Sequence, residues 1–371
     1  MINTANHPLL PINLFEYEQR AKSHLSQMAF DYYSSGAWDE VTLRDNRTAF
    51  DRIKLLPRML VDVSKRDLKV TVLGQTLQLP LIVAPMAFQC LAHESGEVAT
   101  AKAAAYSGAG MILSTLSTKS IEEVAATNNS TDSLRWFQLY IHKDKGLTRA
   151  LVERAFAAGY KALCLTVDAP MLGQRERDKR NEFVLPSGLH LANLTNMSGL
   201  DIPHYSGESG LFAYFAEQLS PSVTWHDLEW LQSLSPLPLV VKGILRADDA
   251  ANAAKCGAKA IIVSNHGGRQ LDSAIASIEA LPDIVAAVDN DAAVLVDGGI
   301  RRGVDILKAL AYGADCVLIG RPILWGLALN GEAGVVHVIE LLRAELDLAM
   351  ALSGCTCIQD IDSSLVRYNH S

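Results

Sequence analysis

Eight short apolar runs punctuate the chain, and each is continuous instead of alternating. They are "LPLIVAPMA" (core 80–87), "GMILST" (110–115), "WFQLY" (136–140), "ALCLTVD" (162–168), "LVVKGI" (239–244), "AIIVSNHGG" (260–268), "VLVDGG" (294–299) and "CVLIGR" (316–321). An unbroken apolar run of this length suits a parallel strand buried on both faces. Between most of them lie alanine-rich stretches with helical spacing, such as "EVATAKAAAYSGAG", "TRALVERAFAAGY" and "ADDAANAAKCGA". Several of these reach a Gly before the next strand, a common helix stop. Most strand starts lie about 20 to 35 residues apart, a natural size for one strand–helix unit. Eight units of this kind predict an α/β fold, the TIM (β/α)8 barrel. The competing arrangement is an open doubly wound sheet. Its nucleotide-binding first turn needs G-x-G-x-x-G after an early strand, whereas the first strand here ends in "APMAFQ".

The pattern divides a single domain, 1–371, into parts. Residues 1–79 form an N-terminal helical segment, in which "LFEYEQRAKSHLSQMAFDYYSSGA" predicts one or two helices ending at Gly36. The barrel covers 80–350, and 351–371 form a C-terminal tail. A stretch from about 169 to 238, rich in Gly, Pro, Asn and Ser, follows the fourth strand. Its position places it over the active face, and its length marks a lid insertion.

Composition narrows the class only a little. The 371 residues are 49% apolar and 20% charged, with a formal net charge of −8. That is ordinary for a globular protein and disfavours a nucleic-acid surface. The N-terminal sequence lacks the charged start and apolar core of a signal peptide, and no run is long enough to span a bilayer. Six scattered cysteines, two of them inside apolar runs, suggest reduced thiols in a cytoplasmic protein. No metal-ligand spacing stands out.

Barrel strands end at the active face, and unusual polar residues gather there. Ser114, Gln138, Tyr140, Thr166, Asp168, Lys242, Ser264, His266, Arg269, Asp297 and the pair Gly320–Arg321 all fall at strand ends. One such residue is usually a structural cap; this many on one rim are hard to explain that way. "DGGIRRG" (297–303) lets the backbone at Gly298 and Gly299 approach an anion, with Arg301 and Arg321 adding charge at the usual phosphate site of such barrels. A phosphorylated ligand with several polar edges suggests a flavin, bonded by Ser114, Gln138 and Thr166. Lys242 is then a cation for a reduced ring, or alternatively a Schiff-base lysine. Asp168 ends a strand two places from that of His266, where a carboxylate favours the protonated imidazole and fixes its tautomer. Arg175 and Arg269 supply two forks for a carboxylate, and Tyr32 and Tyr140 can bond a hydroxyl or carboxylate.

"SNHGGRQLD" (264–272), together with "FDYYSSGA" and "GRPILWGLA", resembles the FMN-dependent L-2-hydroxy acid oxidase and dehydrogenase family. The resemblance runs over nearly the whole chain. It implies FMN as cofactor, His266 as the base for the substrate hydroxyl, and Asp168 as its partner. It implies a carboxylate clamp of Arg175 and Arg269 aided by Tyr32 and Tyr140, and Lys242 beside the flavin N1–C2 edge. Backbone near Pro85, Met86 and Ala87 is expected to face flavin N5. Ser114, Gln138, Thr166 and Ser264 are expected on the flavin and ribityl chain, Asp297 on the ribityl, and Gly298, Gly299, Arg301, Gly320 and Arg321 on the phosphate. A homotetramer, without nucleic-acid or membrane partners, is implied as well.

Two positions depart from the plant-type glycolate oxidases of this family. Leu116 stands where they carry Trp, and Met86 where they carry Thr. A wider, more apolar pocket favours the methyl of L-lactate over glycolate, with Phe215 of the insertion either closing over it or packing in the core of the lid. The implied reaction turns the 2-hydroxy acid into a 2-oxo acid while O2 becomes hydrogen peroxide. Oxidation of glycolate to glyoxylate, a quinone or cytochrome acceptor, and a flavin sensor without turnover are the alternatives.

Overall fold

A computed structural model of the protein describes residues 10–127, 133–194 and 217–369. The chain begins with α1 (Leu14–His24), α2 (Gln27–Ser34) and α3 (Val41–Arg52), followed by the short strands β1 (Ile53–Leu55), β2 (Val70–Val72) and β3 (Gln75–Leu77). Asn13 and Ser26 cap α1 and α2 through their side chains, satisfying N–H groups that have no partner inside the helix. The barrel then alternates β4 (Leu81–Val83), α4 (Gly96–Tyr106), β5 (Gly110–Leu113), α5 (Ile121–Ala125), β6 (Arg135–Leu139), α6 (Lys145–Ala157) and β7 (Leu163–Thr166). After α7 (Glu176–Arg180) come α8 (His226–Leu234), β8 (Leu239–Ile244), α9 (Ala247–Lys255), β9 (Ala260–Val263), α10 (Ser277–Val288) and β10 (Ala293–Val296). The last elements are α11 (Gly303–Ala311), β11 (Cys316–Ile319), α12 (Arg321–Ser353) and β12 (Val366–Tyr368).

The eight predicted strands are β4 to β11. They pair in parallel and close into a barrel, with β11 hydrogen-bonded to β4 and β9 to β10. Side chains alternate across each strand, so the two faces feed two separate apolar clusters. One fills the barrel and includes Ile82, Ile112, Trp136, Val240 and Leu295. Val70, Val72 and Leu77 of the β2–β3 hairpin join it, so the hairpin plugs the barrel. The larger cluster lies between strands and helices, where Val83, Leu113, Phe137 and Val241 pack with Trp325 and Leu327 of α12. Two apolar faces explain why the strand sequences run without alternation.

One boundary moves, and two segments hold more structure than the sequence reading named. Helix α8 packs on α6 and β8 and is the fourth helix of the barrel, so the insertion ends before it, not at 238. The segment 1–79 holds a third helix and three strands besides the one or two helices expected. The tail is partly ordered as sheet: β12 pairs antiparallel with β1, Ile53 opposite Tyr368. Among the described residues no helix is long and apolar enough to cross a membrane.

Candidate active site

The period of two along a strand builds the site. Residues that fill the barrel are followed, two positions on, by polar groups facing the same way. Ile112 leads to Ser114, Trp136 to Gln138, Cys164 to Thr166, Val240 to Lys242, Ile262 to Ser264 and Leu295 to Asp297. The next step brings Tyr140, Asp168 and His266 above that layer. A cavity with about 1070 Å³ of atom-free space, part of it open to solvent, lies over them.

The structure brings nearly all the expected residues to this cavity. Tyr32, Pro85, Met86, Ala87, Ser114, Leu116, Gln138, Tyr140, Thr166, Arg175, Lys242, His266, Arg269, Asp297, Gly298, Gly299, Arg301, Gly320 and Arg321 line it. Asp168 and Ser264 stand behind the wall. Ser264 is fully buried, and its Oγ accepts from Lys242 Nζ at 2.8 Å and from the His266 N–H at 3.0 Å. Phe215 lies outside the described residues. Tyr33 and Gly267 line the cavity unanticipated, although Tyr33 directly follows Tyr32 in "FDYYSSGA".

His266 sits at φ +58° in a tight turn after β9. Its Nδ1 lies 2.7 Å from Asp168 Oδ1. With Nδ1 donating to the carboxylate, Nε2 is the ring's acceptor. Burial holds the imidazole below its ordinary pKa, and Lys242 and Arg175 push the same way, against the pull of Asp168. The carboxylate does favour the protonated ring, as the sequence implies, but desolvation and the nearby cations outweigh it. Asp168 itself is lowered, because His266 and Lys242 overcome the upward effect of burial. The pair is therefore a neutral imidazole on a carboxylate, ready to accept a proton.

The cations are held mostly by backbone. Arg269 Nη1 donates to the carbonyls of Tyr32 (2.6 Å) and Ser35 (3.0 Å). Arg321 donates through Nε to Tyr33 O (2.9 Å) and through Nη2 to Ser35 O (3.1 Å) and Gly267 O (2.9 Å). Both guanidinium groups thus cap the C-terminal carbonyls of α2, which its hydrogen-bond ladder leaves free. Burial pushes Arg175 down to about 10, with Arg269 adding repulsion, and pushes Arg321 down to about 9. Four guanidinium groups around one cavity, Arg301 being the fourth, favour an anionic occupant. Tyr32 stacks on Phe183 at 4.3 Å, which steadies its hydroxyl end toward Arg175 and Arg269. Burial raises the pKa of Tyr32 and Tyr140, so both remain phenols that can donate.

Lys242 forms an ion pair with Asp297, Nζ to Oδ2 at 3.0 Å. Burial opposes its charge, yet Asp297 and Asp168 carry its pKa above the ordinary lysine value. A lysine whose charged form is favoured is a poor Schiff-base nucleophile. Gln138 ties the neighbouring strands together: Oε1 accepts from Ser114 Oγ and the Thr115 N–H, and Nε2 donates to Thr166 Oγ1. Gly299 needs its freedom, since it sits at φ +76° and an added Cβ would lie 1.7 Å from Asn46 O. Asn46 of α3 in turn exchanges reciprocal amide bonds of 2.8 and 2.7 Å with Asn265, beside His266. Sequence reasoning missed this pair, for which no local pattern exists.

The arrangement joins an imidazole on a carboxylate, several guanidinium groups and a glycine loop at the open end of a parallel barrel. That combination defines a flavin-dependent oxidoreductase barrel. The family described as "FMN-dependent dehydrogenase" matches residues 21–368, and the chain belongs to it. It is 74% identical to an L-lactate oxidase of Nostoc sp., over 96% of this chain and 98% of that protein. It is 51% identical to human 2-hydroxyacid oxidase 1, over 95% and 96%, and 49% identical to glycolate oxidase 3 of Arabidopsis thaliana, over 96% and 95%. Among solved structures, mandelate oxidase with (S)-4-hydroxymandelic acid superposes with a TM-score of 0.90 at 42% identity, covering 95% of this chain and 97% of that one.

FMN is the cofactor, and the residues fit it. Asp297 Oδ1 is buried and receives no hydrogen bond from the described residues, as suits an atom waiting for a ligand hydroxyl. Gly298 and Gly299, with Arg301 and Arg321, offer backbone and charge to a phosphate. Ser114, Gln138, Thr166 and Lys242 offer polar contacts to a flat heterocycle.

Proposed function

We propose that this protein oxidises a small L-2-hydroxy acid, L-lactate foremost, to the 2-oxo acid while O2 is reduced to hydrogen peroxide. The observation that carries the reading is His266, backed by Asp168, facing the same cavity as the Arg175 and Arg269 forks. Identity of 74% to an L-lactate oxidase supports the substrate and the acceptor. FMN, held by the residues named above, supplies two-electron redox chemistry between the hydroxy acid and dioxygen when bound.

The chain's own residues do the rest. Arg175 and Arg269 bind the substrate carboxylate, helped by the phenol donors of Tyr32 and Tyr140. This orientation presents the α-hydroxyl to His266 Nε2, which takes its proton. Asp168 keeps Nδ1 protonated and stabilises the resulting imidazolium. Lys242, charged and buried, offsets negative charge that develops beside it. Leu116 and Met86 form an apolar wall for the methyl of lactate.

The substrate loses two electrons and two hydrogens, and both electrons and two protons reach dioxygen. A panel of 2-hydroxy acids, with flavin bleaching without oxygen and peroxide yield with it, tests the reading. Higher kcat/KM on glycolate than on L-lactate would replace the substrate, and bleaching without stoichiometric peroxide would replace the acceptor. We further propose that the chain is one catalytic domain working as a cytoplasmic homotetramer, which light scattering of the purified protein checks.

A further inference from the structure

The loops after β7 and β9 meet at one side chain that the chemistry above does not use. The first loop carries Asp168 and Arg175, and the second His266 and Arg269. Gln270 follows Arg269 and is buried. Its Nε2 donates to the carbonyls of Asp168 at 3.0 Å and Met171 at 2.8 Å. Its Oε1 accepts from the Gly173 N–H at 3.0 Å and from Arg175 Nη2 at 3.5 Å. A primary amide has two donors and room for two acceptor contacts, and all are engaged between 168 and 175.

The backbones converge to allow this. A Cβ at Gly173 would lie 2.4 Å from Arg269 O and 2.6 Å from the Gln270 Cα, so a larger residue there would separate the loops. Arg175 Nε also reaches Arg269 O at 3.5 Å. The amide thus grips the backbone of the residue that orients the imidazole and the side chain of one fork of the clamp.

We propose that Gln270 is a positioning residue that keeps the proton-accepting pair and the carboxylate clamp in register. The inference rests on the roles given above to His266, Asp168, Arg175 and Arg269. Loss of Arg175 alone weakens anion binding. Loss of Gln270 frees Arg175 and Asp168 together, so binding and the reductive step fall at once. A misplacement of about 1 Å at a reacting group costs about 10²-fold in rate. Glutamate at 270 has the same size but, once ionised, turns acceptors toward the Asp168 and Met171 carbonyls. Protonated, it can still donate to one of them.

The test uses FMN-loaded wild type, Gln270→Ala and Gln270→Glu. Oxalate, an anion with no hydrogen to give up, reports on the clamp through its Kd by flavin absorbance. Stopped-flow reduction by saturating L-lactate across pH reports on the base. In Gln270→Ala, flavin content is expected to stay at the wild-type level while oxalate binds about tenfold more weakly, the scale of one charge-assisted hydrogen bond. Reduction is expected to slow by about 10²-fold. In Gln270→Glu the defects are expected to be mild at low pH and to grow as the new carboxyl ionises, which a packing role would not produce. If the alanine variant does not fold, the isosteric glutamate variant carries the test. Unchanged oxalate Kd and reduction rate would overturn the proposal, as would a glutamate defect that ignores pH. Should wild-type flavin resist every 2-hydroxy acid, the broader reading fails instead, and the oxalate Kd still judges Gln270.

Discussion

Gly243 presses its backbone against Asp168: a Cβ at 243 would lie 2.6 Å from both Cβ and Cγ of the aspartate. The glycine sits at φ +109°, where the pairing of β8 and β9 slips between Lys242 and Ile244. A bulge of this kind re-aims side chains at the end of a strand. Here it leaves room for the carboxylate to reach His266. Gly243→Ala is expected to lower kcat by about 10²-fold, since the carboxylate must shift by a large part of an ångström. Rapid-reaction reduction of the purified variant checks it; a wild-type rate would mean that the bulge does not set the pair.

His266→Ala is expected to keep FMN, because its side chain is not part of the glycine loop or the Lys242 layer. Flavin reduction by L-lactate should fall by about 10²- to 10⁴-fold, the range of a lost general base. Absorbance gives the flavin content and stopped flow the rate.

The pH profile carries a sign. The base works as neutral imidazole, so activity is lost as pH falls through its pKa. Burial holds that pKa below the ordinary histidine value, which is about 6.5. The acid limb of kcat/KM, which reports the free enzyme, is therefore expected below that value. In Asp168→Asn the carboxylate that raises it is gone, and the limb moves further toward acid. A limb above the ordinary histidine value would contradict the desolvation argument.

Arg269→Lys is expected to raise KM for L-lactate more than it lowers kcat. The guanidinium spans the Tyr32 and Ser35 carbonyls and still faces the cavity, which one ammonium cannot reproduce. Steady-state kinetics with an unchanged KM would remove Arg269 from the clamp.

Leu116→Trp is expected to shift preference toward glycolate. Leu116 is on the cavity wall and almost fully buried, so an indole there takes space from the substrate side chain. One methyl in an apolar pocket discriminates by about 10- to 200-fold. The ratio of kcat/KM for the two acids should move within that range, measured by peroxide release.

The barrel and most of the site were legible because both depend on local pattern. Continuous apolar runs marked β4 to β11, and the polar residues two positions past the barrel-filling ones marked the layer beneath the cavity. What escaped is tertiary. Helix α3, "VTLRDNRTAFDR", buries Thr42 and Asn46 beside Ala49 and Phe50, so its inner face is half polar and leaves a weak apolar signature. The Asn46–Asn265 exchange joins residues far apart in sequence. Gln270 lay within the quoted motif but reads as any polar loop residue until its four contacts are seen. The lowering of the His266 pKa by burial was out of reach as well, since sequence reveals a neighbouring carboxylate more readily than the depth of burial.

Closure of the ring between β4 and β11 has a consequence for synthesis. A ribosome releases β4 early and β11 near the end, and the two must hydrogen-bond along Val317–Leu81 and Ile319–Val83. Until translation reaches β11, the edge of β4 that it covers lacks its neighbour, a condition that invites pairing with other nascent chains. Yield of correctly assembled protein should accordingly respond to chaperone supply and to the speed of translation.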